Sequence, residues 1–218
     1  MSKPLFYSRN FLPLFLSQTS AAFVDNLYRS AFVLLVIYTS AAGHLDSSVK
    51  NNYSILSAAM LTLPFFVFSS IAGDLSDKLS KSQLIIVFKA AELAILAFGC
   101  YAAFTSNIPF MLVCIFLLGL HSAFLSPLKL SILPEYLKDS ELLKANSFFE
   151  IGVFSAIILG EILANLLFAH DKYGLYFLAC TCILISAIGF AASLYLPPTT
   201  PKDPKIKVNL NFISGNLN

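Results

Sequence analysis

Asp25 and Arg29 stand four residues apart inside a stretch that is otherwise almost wholly apolar, with Gln18 seven residues ahead of them. On a helix these three side chains fall within roughly 40° of one another, so they share a face. Asn26 adds a further polar group beside them. In a later apolar stretch Asn146, Glu150, Glu161 and Asn165 occupy an arc of roughly 100°. No base on that stretch neutralises either glutamate. Lys129, just past Pro127 in the preceding stretch, is an available partner, and the proline would loosen the helix there and free backbone carbonyls. Such groups can either do acid–base chemistry or hold a charged ligand. Catalysis lacks its other components, because the sequence offers no nucleophile–base pair, no metal-ligating cluster and no H-x4-D motif. No cofactor or metal is therefore expected. The remaining role is to face a water-filled cavity or the charges of another helix.

An ionisable side chain at mid-bilayer costs at least about 2.5–3.5 kcal/mol, so it faces a bundle interior or a water-filled cavity. For Asp25 and Arg29 mutual neutralisation at i,i+4 is the simpler reading, while Asn26 favours a lined pathway. Lys89 and Glu92, an i,i+3 pair near a helix end, read as snorkelling side chains. A lone His121 reads as a satisfied packing residue. The four cysteines, Cys100, Cys114, Cys180 and Cys182, all lie in apolar blocks without paired loop spacing. They read as small buried thiols, neither a disulfide framework nor a zinc site.

The elements that carry these residues follow from composition. Of 218 residues 57% are hydrophobic and 12% charged, and the mean hydropathy is +0.78. That share of charge is about half of what a soluble surface carries. A span needs about 20 apolar residues. Six blocks meet that length: 11–39, 53–72, 83–105, 109–129, 142–168 and 173–196. The expectation is an all-α integral membrane protein of six transmembrane helices. The first block follows Lys3 and Arg9 like a signal peptide, but it is too long and is interrupted by Asp25 and Arg29. Residues 197–218 open with Pro197, Pro198, Pro201 and Pro204, and read as an exposed linker and polar tail. With the N-terminus inside, the inner segments and helix ends hold eleven basic residues and the outer loops hold two, Lys50 and Lys172. Both termini are thus expected in the cytoplasm. A net charge of +2 without a basic cluster gives no reason to expect nucleic acid.

The segment between the second and third blocks reads Gly73-Asp74-Leu75-Ser76-Asp77-Lys78-Leu79-Ser80-Lys81. It resembles the signature cytoplasmic loop of the major facilitator superfamily, G-x-L-[AS]-D-[KR]-x-G-[KR]-[KR]. Glycine would permit a tight turn and close helix approach, and the Asp would take a base or helix-dipole partner. Ser80 and Ser82 stand where a second glycine and a further base are usual. Three other segments narrow the likeness: Phe23-Val24-Asp25-Asn26, Ser126-Pro127-Leu128-Lys129 running on to Pro134-Glu135, and Glu141-Leu142-Leu143-Lys144-Ala145-Asn146 running on to Glu150. Together they resemble the bacterial lysophospholipid transporter family over about residues 9–196, its N-terminal six-helix half. Glu161 and Asn165 sit where relatives more often carry small residues.

The resemblance implies alternating-access movement of lysophospholipids from the outer to the inner leaflet of a bacterial inner membrane. Asp25, Asn26, Arg29, Lys129, Asn146 and Glu150 would be the substrate-binding residues, and Gly73, Asp74, Asp77, Lys78 and Lys81 the conformational loop. It also implies partners: the lipid substrate, a second six-helix half or a second copy, and a lysophospholipid acyltransferase to reacylate the product. A fold of two six-helix halves leaves this chain as a truncated product, half of a split transporter or a self-associating half. A non-catalytic membrane module serving an acyltransferase and a half-transporter for another small molecule stay open as alternatives.

Overall fold

The computed structural model describes residues 5–41, 46–168 and 173–202. A 3₁₀ turn at Leu5–Tyr7 leads into six α-helices: α1 (Leu12–Ala41), α2 (Ser47–Lys78), α3 (Lys81–Phe104), α4 (Ile108–Tyr136), α5 (Asp139–Phe168) and α6 (Gly174–Ser193). All six are long and apolar enough to cross a membrane. At 1.5 Å per residue their 20 to 32 residues span about 30–48 Å, against a hydrocarbon core of about 30 Å. No strand occurs among the described residues. Helices are what lipid permits, because each backbone amide and carbonyl must find its partner within the segment.

Several helices run beyond the apolar blocks that marked them. Apolarity marks where hydrocarbon ends, whereas a helix ends only where its hydrogen-bond ladder stops. The segment expected as the loop 73–81 is for the most part the last turns of α2, which continues to Lys78. Only Leu79 and Ser80 connect it to α3. Gly73 makes no tight turn or close approach, since a methyl group there would meet nothing within 4 Å. Likewise α4 does not end at Lys129 but passes through Pro127 and Pro134 to Tyr136. The link between α3 and α4 is a true turn. Ser106 takes the left-handed conformation (φ 50°), and Asn107 Oδ1 accepts the amide of Phe110 to begin α4.

Helix α1 is the hub and packs on α2, α4, α5 and α6; α2 lies on α4, and α3 on α4 and α6. Two apolar clusters fill the interior. One, around Leu27, Tyr28, Phe32, Leu96 and Ile115, occupies the half toward the α3–α4 turn. The other, around Phe11, Leu14, Ile85, Leu128 and Phe149, occupies the opposite half. Close approach depends on small residues, as is usual between membrane helices. A methyl on Gly119 would strike the backbone of Leu61, so this glycine seats α2 against α4.

The stretch after α6, expected as an exposed linker, lies against one end of the bundle. Thr199 exchanges hydrogen bonds with Ser82, its amide donating to Ser82 Oγ (3.2 Å) and its Oγ1 accepting the Ser82 amide (3.1 Å). Tyr136 donates its hydroxyl to the Pro197 carbonyl, and the Lys202 amide donates to the Asp77 carbonyl. His170 and Lys172, which bear on the expected outer loop, and residues 203–218 lie outside the described residues.

Candidate functional site

A cavity of about 240 Å³ opens between α1, α2, α4 and α5. From α1 it receives Gln18, Asp25 and Asn26; from α4, Ser122, Ser126 and Lys129; from α2, Thr62 and Phe65; and from α5, Val153 and Ile157. The α1 residues reach it together because 3.6 residues per turn stack positions 18, 22, 25 and 26 on one side. Residues 122, 126 and 129 stack in the same way on α4.

Asp25 is 5% exposed. Its Oδ2 accepts a hydrogen bond from Ser122 Oγ at 2.5 Å, while its buried Oδ1 has no partner among the described residues. Gln18 donates to the Leu125 carbonyl at 3.4 Å. Asn26 donates to the Ala22 carbonyl one turn back, which leaves its own oxygen free to accept. Among the described residues Lys129 is the only base lining the cavity; its Nζ lies 3.1 Å from Glu150 Oε1 and 5.5 Å from the centre of the Phe149 ring. Acid and base thus stand on separate helices, and only the base is ion-paired.

Of the six expected ligand-binding residues, Asp25, Asn26 and Lys129 line the cavity, and Glu150 meets it through Lys129. Arg29 and Asn146 do not. The expected Asp25–Arg29 pair is absent. Arg29 instead donates to Glu161 Oε1 at 2.6 Å, tying α1 to α5. Each member of the supposed pair has a nearer partner on a neighbouring helix, which an i,i+4 argument within one helix cannot see. Glu161, unneutralised on its own helix, finds its base there.

The Lys89–Glu92 pair is also not snorkelling. Both side chains are fully buried between α1, α3, α4 and α6. Lys89 donates to Glu92 Oε2 (2.6 Å) and Ser20 Oγ (3.1 Å), and Ser186 donates to Glu92 Oε1 (2.8 Å). Room for the lysine comes from Gly189, where a methyl would collide with Ser20 Oγ and Lys89 Nζ. His121 Nε2 lies 3.3 Å from Glu92 Oε2, yet neither ring nitrogen is oriented to make a hydrogen bond. It is not the satisfied packing residue expected.

In the segment 73–81, Lys81 is buried and pairs with Glu135 at 2.5 Å, joining the start of α3 to the end of α4. The Asp77 carboxylate and Lys78 make no side-chain hydrogen bond or ion pair with described residues, whereas Asp74 is engaged. Ser122 and Thr62 are not among the expected site residues, and Ser126 enters the sequence reading only within a family segment. Ser122 and Ser126 were detectable, since 122, 126 and 129 follow the i, i+4, i+7 spacing of one helix face. Thr62 had no such signal, because it stands alone in the apolar run 58–68 and its neighbours are set by packing. Cys100, Cys114 and Cys182 are buried free thiols as expected; Cys180 is exposed. No group of acids, histidines and cysteines that could hold a metal occurs among the described residues.

A lysophospholipid transporter of Yersinia enterocolitica is 26% identical over 197 residues, which are 89% of this chain and 44% of that protein. Those of Yersinia pestis and Yersinia pseudotuberculosis are 27% identical over 200 residues, again 89% of this chain and 44% of theirs. The chain therefore spans less than half the length of these relatives. Each of these relatives is named as a transporter. The model of the Major Facilitator Superfamily matches residues 14–213. Six membrane-crossing helices and a match over nearly the whole sequence make this chain a multi-pass membrane protein that belongs to the Major Facilitator Superfamily.

Proposed function

We propose that the chain forms half of a transporter that moves lysophospholipids inward across a bacterial inner membrane by alternating access. The observation that carries this reading is the α1–α2–α4–α5 cavity, with an unpartnered Asp25 oxygen on one wall and Lys129 on another. A zwitterionic head group matches that pair. Its ammonium binds Asp25 Oδ1, its phosphate takes Lys129 in competition with Glu150, and Asn26 accepts a hydrogen bond. An acyl chain has the apolar surfaces of Phe65, Val153 and Ile157 to follow. Arg29 and Asn146 act at a distance, Arg29 by fixing α1 to α5 through Glu161.

The second wall of the path is a second six-helix unit, a separate segment or a second copy, and both described chain ends face the cytoplasm. The end of α2 meets that unit, with Asp77 offering it a carboxylate and Gly73 an open face. An acyltransferase acting on the delivered lipid is a further partner of this reading. Uptake of lysophosphatidylethanolamine by spheroplasts that contain the six-helix unit and its second half is the test. Inward movement above that of spheroplasts lacking both, reduced by Asp25→Asn at unchanged protein amount, is the expected result. Uptake equal to the background rejects the substrate.

A further inference from the structure

The face of α1 turned away from the cavity is also hollow. One cleft of about 360 Å³ lies between α1, α5 and α6, and another of about 460 Å³ continues it between α1 and α6. They share Leu16 and Ile188 and so form one groove. Leu16 and Asp25 are nine residues apart, about 180° around the helix, so groove and cavity lie on opposite sides of α1. A subunit that closes the cavity over α2 and α5 therefore leaves this groove to the membrane.

Its depth and chemistry restrict what fits. From Leu12 to Phe23 it follows α1 for about 16 Å, roughly half of the ~30 Å hydrocarbon core, the depth of one leaflet. Two of its three deep hydroxyls are spent on the backbone. Thr19 donates to the Phe15 carbonyl (2.8 Å) and Ser20 to that of Ser17 (2.9 Å), so the deep part is apolar apart from the Ser155 hydroxyl on α5. The mouth is different. Arg9, exposed and without an ion-pair or hydrogen-bond partner among the described residues, stands there with Ser8 and Tyr195, at the bundle end that also carries Pro197. A groove that is hydrocarbon-like for one leaflet and ends on a free guanidinium is complementary to one amphiphile. A second protein copy would lay apolar surface over that charge.

We infer that the α1–α6 groove is a binding site for a resident membrane phospholipid, one acyl chain lying along Leu16 and Ile188 and the phosphate held by Arg9. It does not depend on what the cavity carries. The probe is a phosphatidylglycerol with a diazirine in its acyl chain, added to phosphatidylcholine vesicles holding the full chain, with labelled positions mapped by peptide mass spectrometry. Val87 and Phe98, exposed on α3, report ordinary lipid contact. Label should concentrate at Leu16 and Ile188 over those two. Arg9→Gln should lower groove labelling about tenfold, the loss of one charge-assisted hydrogen bond, and leave α3 labelling unchanged, which also shows that the variant is folded. Even labelling of groove and α3, or an Arg9→Gln variant labelled like the parent, would each overturn the site.

Discussion

Lys89 and Glu92 illustrate how a membrane interior treats charge. Neither touches solvent or lipid, and the pair is bound by Ser20 and Ser186 as well as by its own contact. Removing one partner leaves the other buried and unpaired, at a cost of about 3–5 kcal/mol. Glu92→Ala should therefore lower the thermal midpoint of the detergent-purified chain sharply. Replacing both charges with methionine should recover much of the loss, since an apolar pair of similar volume is often neutral. Equal losses in the single and double variants would mean the pair is not a unit. Asp25 has another kind of importance, because it lines the cavity and burial leaves one of its oxygens without a partner among the described residues. Asp25→Asn and Lys129→Gln should each reduce transport by the complete protein about tenfold or more, as loss of a charge-assisted bond does. Protein amount in the membrane should stay the same. Normal uptake by both variants would return these groups to a structural role.

Among the helices, α2 and α4 show where contact distance decides the effect of a single carbon. Gly119 faces the Leu61 backbone, whereas Gly73 faces open space within the same bundle. Gly119→Ala must push α2 and α4 apart, so its thermal midpoint should fall. Gly73→Ala only replaces a poor helix former by a good one and should stabilise the chain by about 0.5–1 kcal/mol. The reverse order, read by thermal unfolding in detergent, would show that α2 does not sit on α4 as described. The end of α2 also settles which segments share a membrane side, because the Asp77 carbonyl accepts the Lys202 amide. Single cysteines at Asp77 and Lys202 should react with the same impermeant reagent, and one at Asp46 only from the other side. The proposed orientation has the first pair in the cytoplasm. Labelling of Asp77 from outside intact cells would reverse the proposed orientation.

At the level of the whole bundle, the polar wall of the cavity is open on the side of α2 and α5, the two helices with the least burial together. Asp25, Asn26 and Lys129 cannot face lipid in that state without the cost that keeps ionisable groups out of hydrocarbon. In the proposed transporter, a second six-helix surface would relieve it and complete an alternating-access path. The six-helix unit reconstituted alone should insert and not transport, or transport only as a dimer. Liposomes containing it as a monomer and taking up lysophospholipid faster than empty ones would show that six helices suffice.

Number, kind and approximate place of the helices were legible along the chain, because lipid imposes length and apolarity on each span independently of its neighbours. So was the fact that Asp25, Asn26 and Lys129 must turn inward: one helix's periodicity names the face on which a charge sits. It does not name the helix across from that face. For this reason the i,i+4 spacing leaves an Asp25–Arg29 pair open beside a lined pathway, and the tertiary structure decides that Ser122 on α4 and Glu161 on α5 are the groups that meet them. Lys89 and Glu92 were sent toward water, when Gly189 and Ser186 of α6 make room and hydrogen bonds for them inside. Helix ends were missed for a related reason, since hydropathy records the edge of hydrocarbon and the backbone ladder continues past it. Packing alone decided the partners, because distances between helices depend on side chains far apart in sequence.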